Sequence, residues 1–242
     1  MSDLAQIWVY LAREPLAALT VTLVAWLIAL RVADAARWHP VANPTLISVV
    51  LLSLLLLGGG IAYRDYFSGA QFVHFLLGPA TVALAVPLYR QWQDVRRSAV
   101  AVVASVVGGG ALAAASGIAI AWAMGATPQV IATLAPRSVT TPVAMGIAER
   151  LGGLPSLTAV VVISSGILGA AVGPLVLDLA RVRDWRARGL AMGTAAHGVG
   201  TARALRVNET AGAFAGLAMA LNALATALFL PLIWRLVVGL SR

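Results

Sequence analysis

The sequence predicts an all-α polytopic membrane protein: five transmembrane helices plus three broken or re-entrant helical segments, arranged as an inverted repeat. Three observations lead there. Hydrophobic residues make up 60% of the chain, charged residues only 11%, and mean hydropathy is +0.91, whereas a soluble domain is about a quarter charged. Five apolar runs are long enough to cross a hydrocarbon layer of ~30 Å at ~1.5 Å per residue. Three further apolar segments are interrupted near their middles by Gly, Pro or both.

Leu16–Ala33 is the first expected span. The preceding MSDLAQIWVYLAREP opens acidic and offers no small-residue cleavage site, so this span is expected to be retained and not removed as a signal peptide. Pro44–Tyr63 follows, with Asn43 read as an N-cap and Pro44 at the first helical position. Ala99–Met124, Leu157–Ala180 and Ala211–Val238 complete the five. The absence of cysteine removes disulfide, thiolate-metal and cysteine-nucleophile chemistry. All 17 basic residues are Arg, and they sit at the ends of apolar segments and form no single patch. That distribution reads as orientation and headgroup anchoring in a lipid bilayer, not as a nucleic-acid surface.

The interrupted segments are Gln71–Arg90, Gln129–Arg150 and Arg186–Arg206. Proline removes a backbone donor and glycine stiffens nothing, so the freed groups must face protein, water or a substrate; kinked packing helices are the alternative. Two of these segments align with each other. LGPATVALAVPLY beside LAPRSVTTPVAMG pairs Pro79 with Pro136, Thr81 with Ser138 and Val82 with Val139, and the same offset of 57 residues pairs Gly109 with Gly166. A single membrane domain over residues 1–242, with repeat-like halves at about 70–124 and 127–181, is the expected organisation. If the broken segments dip in and return, Arg90, Arg96 and Arg97 share one face with Arg181, Arg183, Arg186 and Arg188, and with Arg13 and Arg64. The positive-inside rule favours that arrangement with a cytoplasmic N-terminus.

The strings LLGPATVALAVPLYRQ, LAPRSVTTPVAMGIAERLGG, ILGAAVGPLVLDLARVRDWRARGLAMGTAAHGVGTARAL and GAFAGLAMALNALATALFLPL resemble the LrgB/CidB family of bacterial membrane proteins over roughly residues 40–240. The family has been described both as antiholin-like or holin-like modulators of murein hydrolase activity and autolysis, and as transporters of small carboxylates. A related plastid protein carries glycolate and glycerate. The resemblance implies a multi-pass protein of the bacterial cytoplasmic membrane and a small LrgA/CidA-type membrane subunit as partner. Ala196 stands where the family commonly has Ser before the histidine, which removes a hydroxyl from that position.

The residues themselves fit transport of a pyruvate-, lactate- or glycolate-like anion by alternating access. Such an anion must shed water at the midplane, which is costly unless charge-assisted donors replace it. Arg137 can supply a fork, and Ser138, Thr140 and Thr141 hydroxyl donors, while helix restarts after Pro136 or Pro142 aim free amides at the same point. The competing readings are a snorkelling arginine and hydroxyls acting as interhelical glue. His197, flanked by Gly193, Gly198 and Gly200, is the candidate for proton coupling, against a neutral histidine bonded between helices. Thr201 follows as a further contact, and Pro79, Pro136, Pro142, Gly198 and Gly200 are the breaks expected to line the site. Arg203 reads as a second anion contact or an end anchor, and His39 and His74 as interfacial.

Asn222 is expected to bond another helix, and Asp178 to pair locally with Arg181. Gly169–Gly173 and Gly212–Gly216 each form a GxxxG that allows close helix approach within the chain or in a homodimer. No cofactor or metal is expected, and no enzymatic activity. A serine hydrolase using Ser165 with His197 would need Gly at position 163, which is Ile163.

Overall fold

The computed structural model describes residues 15–38, 42–76, 79, 82–83 and 85–240, and every regular element among them is helical. Arg13, His39, Leu77 and Thr81 lie outside the described residues, as does the side chain of His74. The chain divides into two compact units, residues 1–83 and 84–242. The first half of the expected repeat straddles that division.

In the first unit, α1 (Pro15–Ala35), α2 (Pro44–Gly58) and α3 (Tyr63–Phe75) follow one another. Asn43 caps α2 as expected, its side chain accepting from the amides of Thr45 at 2.9 Å and Leu46 at 3.3 Å. The expected span Pro44–Tyr63 is cut short. The helix stops at Gly58 because Gly60 takes φ +61°, and the Ile61 amide turns back to the Leu56 carbonyl at 2.9 Å. This is the glycine-dependent helix stop that a side chain resists. At 15 residues α2 reaches only ~22 Å, so among the described residues four helices and not five are long and apolar enough to cross a membrane. The hydroxyls of Thr22 on α1 and Tyr66 on α3 lie 2.7 Å apart.

The second unit opens with two short helices, α4 (Ala85–Arg90) and α5 (Trp92–Arg97), and then the long α6 (Ala99–Ala123). Next come α7 (Pro128–Leu134), α8 (Thr141–Arg150), the long α9 (Pro155–Leu179), α10 (Trp185–Val207) and the long α11 (Glu209–Leu240). Its interior is built of small residues, among them Ala135, Ala144, Ala170, Ala196, Ala215 and Ala218, all fully buried. Large apolar side chains such as Leu168, Leu175 and Leu228 point outward at about 60% exposure. That inversion of the soluble pattern is what hydrocarbon solvent selects, since close backbone packing drives association there and greasy exteriors cost nothing.

Two helical hairpins occupy the unit, and packing contacts fix their directions. Residues 133 and 137 of the first hairpin meet 158 and 165 of α9, so α7 and α9 run the same way, and α8 returns. The α10 segment is two half-helices joined at His197, whose φ of 39° and ψ of −128° are not helical. Its first half runs antiparallel to α9, with Gly173 against Met192 and Gly169 against Ala196. It runs parallel to α11, with Gly189 against Ala211 and Gly193 against Ala215. The second half folds back, which places Gly200 beside the Met192 carbonyl and Leu205 beside Gly212. Thus Gln129–Arg150 and Arg186–Arg206 both dip in and return, from opposite ends of the bundle. Each is followed by one long helix.

One local expectation is corrected. Asp178 pairs with Arg188, at 2.6 Å, and not with Arg181. Arg181 ends α9 in the left-handed conformation, φ 58°, and the chain turns back so that the Val182 amide reaches the Leu177 carbonyl at 2.9 Å. Asp184 caps α10 by accepting from the Arg186 amide at 2.8 Å. Hydrogen bonds from Arg186 hold its carboxyl below the ordinary range, so the stabilisation is full above that range and is lost as pH falls below it, through the lowered folded-state value.

Candidate functional site

The hairpin tips meet halfway along the three long helices of the second unit. At the first tip, the chain between α7 and α8 carries Pro136, Arg137, Ser138 and Thr140. Pro136 and Ser138 are buried, while Arg137, Thr140 and Thr141 are half-buried. The Arg137 guanidinium lies over Gly117 of α6, where a methyl group would come within 1.6 Å of Nη1. Only glycine leaves that space. Ser165 of α9 sets its hydroxyl between the Arg137 carbonyl at 3.2 Å and the Val162 carbonyl of its own helix at 2.9 Å, so its one proton is shared between the tip and α9.

Thr140 is the N-cap residue of α8, yet its side chain makes no capping bond, and the Ala144 amide takes its carbonyl at 2.9 Å. Pro142 has no N–H, so the first turn of α8 presents the amides of Thr141 and Val143 without intrahelical acceptors. Among the described residues, the guanidinium of Arg137 has no carboxylate partner, and the hydroxyls of Thr140 and Thr141 are bound to no protein group. The tip between α7 and α8 therefore carries a cation, two hydroxyls and a helix N-terminus that no described protein group satisfies.

At the second tip His197 is buried, and its Nε2 lies 3.0 Å from the Val162 carbonyl. Its ring fills the space left by Gly166, where a methyl group would come within 2.6 Å of Nε2. A non-glycine residue at φ 39°, ψ −128° costs about 1–3 kcal/mol, so the ring is kept at an energetic loss that glycine would spare. Gly200 is buried and Gly198 half-buried, and the half-helix that starts beside them points its N-terminus at the tip. Thr201 is buried, but its hydroxyl is spent on the His197 carbonyl at 2.8 Å, with Met219 Sδ at 3.9 Å. Pro142 is exposed on α8, and Pro79 is exposed in the first unit.

Asn222 of α11 ties the two tips together. Its Nδ2 donates to the Ser138 carbonyl at 3.1 Å and to the Thr194 carbonyl at 3.3 Å. The latter is among the carbonyls orphaned when the first half of α10 ends at His197. Gly110 of α6 makes room, since a methyl group there would meet Asn222 Oδ1 at 2.1 Å. The sequence marked Asn222 as an interhelical bond, but only the structure reveals that the two carbonyls its Nδ2 donates to lie at backbone breaks. Asn222→Ala is expected to lower stability by about 1–3 kcal/mol, and Asn222→Asp by more, because a carboxylate there can donate nothing and faces two carbonyls. Thermal unfolding of the two detergent-solubilised variants checks the order.

Ser165 and His197 both turn to the Val162 carbonyl, at 2.9 and 3.0 Å, and not to each other. Gly169 and Gly173 are used inside the chain, against Ala196 and Met192, and Gly212 against Leu205.

The model of the LrgB-like family matches residues 22–236. The chain belongs to that family. Among its LrgB-like relatives, protein YxaC of Bacillus subtilis is 37% identical over 194 residues, 80% of this chain and 84% of that one. A protein of Haemophilus influenzae is 35% identical over 202 residues, 83% and 87% of the two chains. The holin-like protein CidB of Staphylococcus aureus is 32% identical over 195 residues, 81% and 85%. No solved structure matches. The match spans both compact units of this LrgB-like membrane protein, including both hairpins and Asn222.

Proposed function

We propose that this LrgB-like protein carries small carboxylates of the pyruvate, lactate or glycolate class across the bacterial cytoplasmic membrane by alternating access. The observation that supports it is the Arg137 guanidinium, without a carboxylate partner among the described residues, on a hairpin tip that also carries Thr140, Thr141 and the N-terminus of α8. Arg137 is half-buried and has no carboxylate partner among the described residues, so its donors are open to an anionic solute, which would exchange its own water for charge-assisted contacts. Two hairpins entering from opposite ends also give the solute a route from either side with a single site between them. Because Ser165 and His197 are not paired, the site favours transport over hydrolysis.

The CidB relatives are named holin-like, and that name favours a second reading, a modulator of murein hydrolase activity that works through an oligomeric pore. A homodimer and a small LrgA/CidA-type subunit are the proposed partners under either reading, with the N-terminus in the cytoplasm. Uptake of labelled pyruvate and glycolate into proteoliposomes separates them: a carrier saturates and discriminates, a pore does neither. Thr141→Val is expected to reduce carboxylate uptake by on the order of tenfold without impairing membrane insertion. His197→Ala is expected to flatten the dependence of uptake on pH between about 5 and 8, where an imidazole changes charge. An unaltered pH profile assigns His197 to packing alone.

A further inference from the structure

The mouth of the second hairpin holds a half-open cavity of about 250 Å³. Its wall is apolar, formed by Pro174, Leu177, Met192 and Val207, and two arginines, Arg188 and Arg203, stand in it. Arg188 is fixed: its Nη1 donates to Asp178 at 2.6 Å and to the Val182 carbonyl at 2.9 Å, and its guanidinium lies 5.4 Å over the Trp185 ring. Arg203 differs. Its Nε is buried and has no hydrogen-bond partner. A buried guanidinium donor normally has an acceptor, and here the described residues supply none.

The cavity thus has one arginine already paired, a second whose Nε lacks an acceptor, and an apolar wall. Its rim belongs to the same end of the bundle as Arg181, Arg183 and Arg186 on the α9–α10 connection. By the positive-inside rule that end faces the leaflet in which anionic lipids concentrate. A small carboxylate would match the free arginine and leave the apolar wall uncovered, whereas an anionic lipid covers both, with its headgroup at the arginines and its chains continuing out of the open mouth. We propose that this cavity binds an anionic phospholipid, its phosphate accepting from Arg203 and Arg188 and its proximal acyl chain lying along Pro174, Leu177 and Val207. The lipid fastens the ends of α9 and α10 to the start of α11 at the point where the second hairpin opens.

The test uses the purified full chain in neutral detergent, titrated with phosphatidylglycerol, phosphatidylcholine or inorganic phosphate, read by native mass spectrometry and by Tm. Phosphatidylglycerol is expected to stay bound and raise Tm, and phosphatidylcholine to do neither. Arg203→Gln is expected to weaken phosphatidylglycerol binding by about tenfold, and Arg203→Lys by less. Val207→Trp, which blocks the mouth with both arginines intact, is expected to weaken it too. Equal binding of the two lipids overturns the proposal, as does parental affinity in Val207→Trp, which decides the matter if Arg203→Gln fails to fold. A full Tm rise from inorganic phosphate alone assigns the arginines to a soluble anion and overturns the lipid. Neither Arg203 nor Val207 lies at the hairpin tips, so this outcome is independent of carboxylate transport.

Discussion

Arg137→Ala is expected to reduce carboxylate uptake by on the order of 10–100-fold while leaving membrane insertion and the helical fold intact. The side chain makes no ion pair with the described residues, so its removal strands no buried carboxylate and costs the protein little. What is lost is a charge-assisted contact to the solute, of about 1.5–3 kcal/mol, which corresponds to that range of affinity. Arg137→Lys keeps the charge and loses the fork, so it should fall between the two. Gly117→Ala is the companion variant. Its methyl group would take the space of Nη1 and push the guanidinium away without changing any charge. Uptake assays at several solute concentrations separate a raised half-saturation from a lowered maximal rate. Unchanged uptake in Arg137→Ala removes the anion anchor.

Gly193→Ala is expected to give a large loss of stability. A methyl group there would lie 2.1 Å from the Ala215 carbonyl oxygen, and backbone cannot rotate aside as a side chain can. The first half of α10 would have to move off α11, taking Thr194 away from Asn222 and His197 away from Val162. Overpacking of this kind costs about 1–3 kcal/mol or more, a Tm fall of roughly 3–12 °C for a chain of this size. Gly108→Ala, where nothing lies within 4 Å, is the control and should change little. Thermal unfolding in detergent, followed by size-exclusion chromatography, measures both.

Much of this architecture was legible because its signals are local. Apolar length gives α1, α6, α9 and α11, the Asn43–Pro44 pair gives the start of α2, and Pro and Gly inside apolar segments give the two hairpins. What eluded the sequence depends on distant partners or on a single dihedral. Nothing in the run Gly58–Gly60 says that the helix ends there instead of continuing to Tyr63; the turn at Gly60 decides it. Asp178 and Arg181 have helical spacing, but the left-handed residue Arg181 ends the helix and brings Arg188 to the carboxylate instead. At the site, Arg137, Ser138 and His197 stand out as polar residues in oil. Gly117 and Gly110, which make room for Arg137 and Asn222, look like any other small residues of an apolar span. Asn222 reaches a partner 84 residues away, a relation no periodicity records.

The most direct test is the flux of labelled glycolate and pyruvate into proteoliposomes containing this chain alone, with a neutral solute of similar size as the comparison. Saturable uptake of the carboxylates, competed by one another and excluding the neutral solute, is the predicted result. Uptake of both classes in proportion to concentration, or carboxylate uptake equal to that of protein-free vesicles, would contradict a selective anion site between the hairpin tips.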